Sequence, residues 1–271
     1  MRIMRSSPGR TLGAAVLAAA TLWAATGGPP AASGAEPTLR AAIPPVGRLV
    51  LERVSTAAIR AAAEPEGRLG PRPALLVDLR GPLRATAEPG GGRVVGILPP
   101  ASRYYHVPLV AWVRRTDPTG RFGLVQVPYG AGPRSGWIPL RGLRRHRTPI
   151  RVRVDLSRHE LTVTRWGRTI ARFPAATGAA VSPTPPGRYF VTDRVPFPRG
   201  SSLGSFAFGI SGIQPHLPAG WSGGDQLAIH GTNAPSTIGT SASAGCVRVS
   251  EAALARLRPL LELGTPVVIV P

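Results

Sequence analysis

This 271-residue chain has one cysteine, no lysine and only 13 acidic residues, and aromatic side chains make up 6% of it. A lone cysteine, Cys246, cannot close an intramolecular disulfide, so the fold is not a disulfide-stapled scaffold. The histidines His106, His146, His159 and His216 stand at no spacing that suggests a metal site, and no Gly-rich phosphate loop is present, so neither a metal nor another cofactor is expected. No apolar run reaches the roughly 20 residues that span a bilayer comfortably. The longest, Thr11–Ala25, has 15 residues.

All 33 basic residues are arginine, giving a formal charge of +20. Residues 36–149 hold 18 Arg against 7 acids (+11) and residues 150–271 hold 12 against 6 (+6), so the excess is larger in the first half. A basic surface attracts phosphate-rich polymers. The arginines are scattered, however, and arginine usage beside so much Ala, Gly and Pro also fits a GC-rich coding bias with a solvated surface.

The N-terminus points to export. Arg2, Arg5 and Arg10 precede the Thr11–Ala25 run, which leads to small residues ending Ser33-Gly34-Ala35. Positive charge, short apolar core and small-x-small site are the order of a secretory signal, predicting cleavage near Ala35, with an uncleaved anchor as the alternative. The expected location is the cell wall, periplasm or extracellular space. There the candidate partners of a basic chain are anionic wall polymers, not nucleic acid, with membrane contact only if the signal stays attached.

Residues 36–73 read as a Pro/Ala-rich spacer with a helix near 49–63. From 74 to 143, short apolar segments alternate with Pro and Gly, which predicts a small all-β barrel. Asp117-Pro118-Thr119-Gly120 is a turn within it, and Ser135-Gly136-Trp137-Ile138-Pro139-Leu140 resembles the final strand of a bacterial SH3-like domain. Tyr104, Tyr105, Trp112 and Trp137 are candidates for a groove or for its core. Residues 144–149 read as a basic linker. Beyond it, Ile150, Val152 and Val154 alternate with Arg151, Arg153 and Asp155, and Leu161 and Val163 with threonines, as half-buried strands do. Residues 196–225 read as one long loop of the kind that forms a lid. Gln226–His230 is a buried strand, and Ser250 caps a helix that carries Leu254, Leu257 and Leu261 and ends at Gly264.

The chemistry concentrates between His230 and Cys246. A histidine ending a strand and a cysteine on a glycine-bearing turn can form a base–thiol pair. Three motifs, Thr184-Pro185-Pro186-Gly187, Ile229-His230-Gly231-Thr232 and Ser243-x-Gly245-Cys246-Val247-Arg248, give residues 150–271 a resemblance to YkuD-type L,D-transpeptidase catalytic domains. Ala244 stands where many members carry a second histidine. The resemblance implies a mostly β fold, with an SH3-like barrel followed by a β-rich catalytic domain bearing one helix after the cysteine. It also implies peptidoglycan stem peptides as substrate. Cys246 would be the nucleophile, His230 its base, the Gly231 carbonyl the imidazole's orienter, and the N–H groups of Gly245 and Cys246 the oxyanion hole. Arg248 would bind a stem carboxylate or hold the cysteine turn in a structural ion pair, Ser243 would bond substrate or close the turn, and Thr232 and Asn233 would contact substrate. Hydrolysis on the same dyad, as in an L,D-carboxypeptidase, and a catalytically silent wall-binding protein remain open alternatives.

Overall fold

A computed structural model describes residues 71–271 apart from 131, 133 and 199. The expected signal peptide, most of the spacer and its helix lie outside the described residues. The first module contains seven strands: β1 (Ala74–Asp78), β2 (Leu83–Glu88), β3 (Gly91–Leu98), β4 (Val110–Thr116), β5 (Phe122–Gln126), β6 (Ser135–Pro139) and β7 (Arg145–Thr148). All its pairings are antiparallel, in the order β3-β2-β6-β5-β4-β1-β7. The Asp117 carboxylate fastens the β4–β5 turn by accepting the N–H groups of Phe122 (2.7 Å) and Thr119 (3.1 Å), while Gly120 takes the left-handed conformation (φ +68°) that costs glycine least. Leu76, Ala111, Val125 and Ile138 are buried beneath the sheet, and so are Trp112 and Trp137.

Residues 144–149 are not a free linker. They carry β7, which pairs with β1 through Ala74↔Thr148 and Leu75↔Arg147. The pattern misleads because β7 alternates arginine and histidine with no apolar residue, so hydrophobic periodicity gives no strand signal there.

The second module is mostly β with one helix. Its strands are β8 (Ile150–Asp155), β9 (Glu160–Arg165), β10 (Arg168–Pro174), β11 (Thr177–Gly178), β12 (Gly187–Pro196), β13 (Phe206–Ile213), β14 (Gln226–His230), β15 (Ser241–Ser243), β16 (Val247–Arg248) and β17 (Pro266–Val270). Eight of them form one mixed sheet, β10-β9-β8-β17-β12-β13-β14-β16, and β11 pairs with β15 beside it. Ile150, Val152 and Val154 point inward while Arg151 and Arg153 stay half-exposed, as the alternation predicts. The expected long loop at 196–225 instead contains β13, whose eight residues (FAFGISGI) are nearly all buried. Two shorter loops, 197–205 and 214–225, flank it. The helix α1 (Glu251–Leu257) is shorter than expected. Ser250 caps it by accepting the Ala253 N–H at 3.2 Å, and Leu261 is buried beyond its end.

The two sheets share packing. Phe190 of β12 and Val268 of β17 join the first module's core, the Tyr129 N–H donates to the Ser211 carbonyl at 2.9 Å, and the Ser211 hydroxyl bonds the Gln126 side chain.

Candidate active site

Strand alternation decides which side chains of β14 can do chemistry. Gln226, Ala228 and His230 share one face, while Leu227 and Ile229 point into the core. Strand β16 runs parallel to β14 with Ile229↔Val247 and His230↔Arg248. Continued one residue back, that register sets Cys246 beside Ala228, on the same face as His230. Both side chains line one cleft of about 360 Å³, with Phe197 and Leu203 also in its wall.

The histidine's tautomer follows from its partner. Nδ1 lies 2.6 Å from the Gly231 carbonyl. A carbonyl only accepts, so Nδ1 carries the proton and Nε2 keeps its lone pair. The ring is 3% exposed. Burial pushes its pKa down to about 4 and the Arg248 charge adds to that, while the bond to Gly231 opposes it. Cys246 is half-buried, and its Sγ lies 3.9 Å from the Gln226 carbonyl, to which the thiol donates. Burial pushes the thiol pKa up, against smaller pulls from the Ala228 backbone and Arg248. At neutral pH the pair is therefore an uncharged thiol beside an uncharged imidazole.

The turn that presents Cys246 is satisfied almost atom by atom. Gly245 sits at φ +112°, and a Cβ there would collide with the Gln214 amide. The Gly245 N–H donates to the Ser243 hydroxyl (3.0 Å), which itself donates to the Cys246 carbonyl (2.6 Å). The Gly245 carbonyl accepts from the Thr184 hydroxyl at 2.8 Å, and Thr184 accepts the Gly178 N–H at 2.8 Å. Ser182 donates to the Ala244 carbonyl at 3.0 Å.

These bonds change several assignments expected from the sequence. The Gly245 N–H, expected as an oxyanion donor, is engaged inside the turn with the Ser243 hydroxyl. Of the two roles open to Ser243, its hydrogen bonds are those of turn closure. The Thr232 hydroxyl accepts the Ala234 N–H at 3.0 Å and shapes the chain after His230. Asn233 is exposed. The Arg248 backbone bonds Ala176 in both directions, and its Nε is buried without a hydrogen-bond partner. Among the described residues no group of three or more His, Cys, Asp or Glu side chains could hold a metal ion, and no helix is long and apolar enough to cross a membrane.

Comparison with known proteins gives the same address. Residues 149–269 match the model of the YkuD family, an L,D-transpeptidase catalytic domain. The YkuD protein of Bacillus licheniformis is 30% identical over 135 residues, covering 49% of this chain and 74% of that protein. The chain belongs to the YkuD L,D-transpeptidase family. The YkuD protein of Bacillus subtilis is 27% identical over 121 residues, 45% of this chain and 66% of its own length. A solved L,D-transpeptidase from Mycobacterium smegmatis aligns with 59% of this chain and 82% of its own at 17% identity, with a TM-score of 0.38.

Within this YkuD domain, residues that motif reading left without a role hold the site together. Gln214 is buried, donates to the carbonyls of Pro183 (2.9 Å) and Ser182 (3.2 Å), and accepts the His216 N–H (3.0 Å). Glu251, first in α1, accepts the Ser205 N–H at 3.0 Å. Its carboxylate and Gly204 press so closely on Gly231 that no Cβ fits there. An acidic residue in the first helical turn after Ser250 is a readable signal. Nothing local marks Gln214, whose carbonyl partners on Ser182 and Pro183 lie 32 and 31 residues away in sequence.

Proposed function

We propose that this chain is an exported, cysteine-dependent L,D-transpeptidase that crosslinks peptidoglycan stem peptides through a thioester and releases D-alanine. The observation that carries this reading is the His230 tautomer: Nδ1 is tied to Gly231, so the lone pair stays on Nε2, in a ring lining the same cleft as Cys246. In the first half-reaction the Cys246 sulfur attacks the carbonyl of the third stem residue while its proton moves to His230 Nε2. The Cys246 N–H donates to the developing oxyanion. As the C–N bond breaks, His230 returns the proton to the departing D-alanine amine and a thioester remains. In the second half-reaction an amine of another stem attacks the thioester. His230 takes a proton from that amine and returns it to the sulfur, so the enzyme is regenerated with one new amide. Arg248, whose buried Nε lacks a partner, suits a stem carboxylate.

The first module is read as SH3-like, and its arginine excess suits anionic wall polymers. The apolar run at Thr11–Ala25 supports export. The test is residues 36–271 with a disaccharide-tetrapeptide: D-alanine and a crosslinked dimer are expected together. D-alanine without dimer would make the protein a carboxypeptidase.

A further inference from the structure

The catalytic cleft is not built by the YkuD domain alone. A loop of the first module, between β3 and β4, reaches its wall with Tyr104 and Tyr105, which line it together with Trp221 of the 214–225 loop. All three aromatics are large and exposed, at 43%, 49% and 47%, and exposed apolar surface gathered at one cleft marks a binding surface. Trp112 and Trp137, by contrast, are buried in the first module's core.

The tyrosines are held, not loosely tethered. The Ser102 N–H donates to the Val107 carbonyl at 2.8 Å, and the Val107 N–H donates to the buried Ser102 hydroxyl at 3.1 Å, closing the loop at its base. His106 adopts φ +52°, a conformation a non-glycine residue takes at a cost of order 1 kcal/mol. Asp225, at the end of the 214–225 loop, accepts from the Arg103 guanidinium (3.0 Å) and the Tyr104 hydroxyl (2.7 Å). Trp221 Nε1 donates to the Gly224 carbonyl at 3.1 Å. Gly224 lies so close to the Tyr104 ring that a Cβ there would sit 3.1 Å from it. The rim thus combines an aromatic surface with a clasp, and among the described residues no charged side chain lines the cleft.

We propose that the Tyr104–Tyr105 loop is a substrate-recognition element of the catalytic cleft. It packs its rings, with Trp221, against an uncharged part of the peptide donor, so the first module sets donor affinity. This rests on the reading of the cleft as the stem-peptide site. Tyr105 has the cleaner test, because the Tyr104 hydroxyl also serves the clasp.

The experiment uses residues 36–271 and a stem tetrapeptide. Tyr105→Ala is expected to raise KM for D-alanine release about tenfold, the loss expected of one aromatic packing contact. Tyr105→Phe should restore KM to within twofold, and kcat and the rate of Cys246 alkylation by iodoacetamide should change less than twofold. In parallel, the tetrapeptide Kd is measured in the Cys246→Ala background with and without Tyr105→Ala, and the same tenfold weakening is expected. Unchanged KM and Kd would overturn the proposal while leaving the transpeptidase reading in place. Equal loss of alkylation and affinity would also overturn it, by making the loop a structural support. Weakened tetrapeptide binding to a protein that releases no D-alanine would sustain the loop's role and refute the reaction. A tetrapeptide that neither binds nor reacts would overturn both.

Discussion

The floor and the rim of the cleft are built in opposite ways. The floor, β14, β16 and the turn between Ser243 and Cys246, is strand-borne, and its polar atoms bond one another: Thr184 to Gly245, Ser243 to Gly245 and Cys246, His230 to Gly231. The rim is loop-borne and aromatic, and the floor's opposite face packs Leu227, Ile229 and Val247 into the core. A reacting sulfur must be held within a fraction of an ångström, which favours a hydrogen-bonded floor on rigid strands. A wall that selects substrate needs only shape and apolar surface, so loops suffice for it.

The largest expected effect separates floor from rim. His230→Gln should slow acylation by the roughly 10²- to 10⁴-fold typical of a lost general base and leave the far-UV circular dichroism unchanged. A loss below tenfold would mean another group takes the thiol proton. Next, Gly245→Ala forces a Cβ into the Gln214 amide at φ +112°, whereas Gly239→Ala sets one in open space at φ +91°. The control should lose about 1 kcal/mol from backbone strain alone, and the turn variant at least twice that. Equal losses in urea unfolding would show that the turn does not press on Gln214.

Thr184→Val removes the donor to the Gly245 carbonyl and the acceptor of the Gly178 N–H, both inside the fold. It should cost about 1–3 kcal/mol and slow acylation, since the Cys246 turn loses its brace. A further effect, of similar size, concerns pH. The His230 pKa is depressed to about 4 in the folded state against about 6.5 unfolded, so below pH 6.5 the unfolded chain binds a proton that the native chain refuses. This part of the stability is whole above pH 6.5 and is lost as pH falls toward 4, by on the order of 2 kcal/mol. The dependence should be absent from that window in His230→Gln, as read by denaturant melts at pH 7 and 4.5.

What was legible in the sequence follows the same division. Strand-borne features of the floor were readable because alternation and a Gly-Cys turn are local signals: β8, β9 and β14 lie where Ile150–Asp155, Leu161–Thr164 and Gln226–His230 suggested. The β13 strand was hidden by its glycines, Gly209 and Gly212, which read as loop punctuation yet are needed where Cβ atoms would strike Asp193 and Tyr189. β7 was hidden because its side chains are arginine, histidine and threonine. The partners of the Cys246 turn were only half visible. Thr184 stood in a motif without a role, while the Gln214 bonds to Ser182 and Pro183 depend on distant chain segments brought together by the fold. The rim was the least legible part, because Tyr104 and Tyr105 belong to one module and line the cleft of the other.

The measurement that tests the central claim most directly is the intact mass of residues 36–271 after incubation with a carbapenem, beside Cys246→Ala. A mass gain of one drug molecule in the wild type and none in the variant is the predicted result. A gain in both, or in neither, would contradict the assignment of Cys246 as the acylated nucleophile.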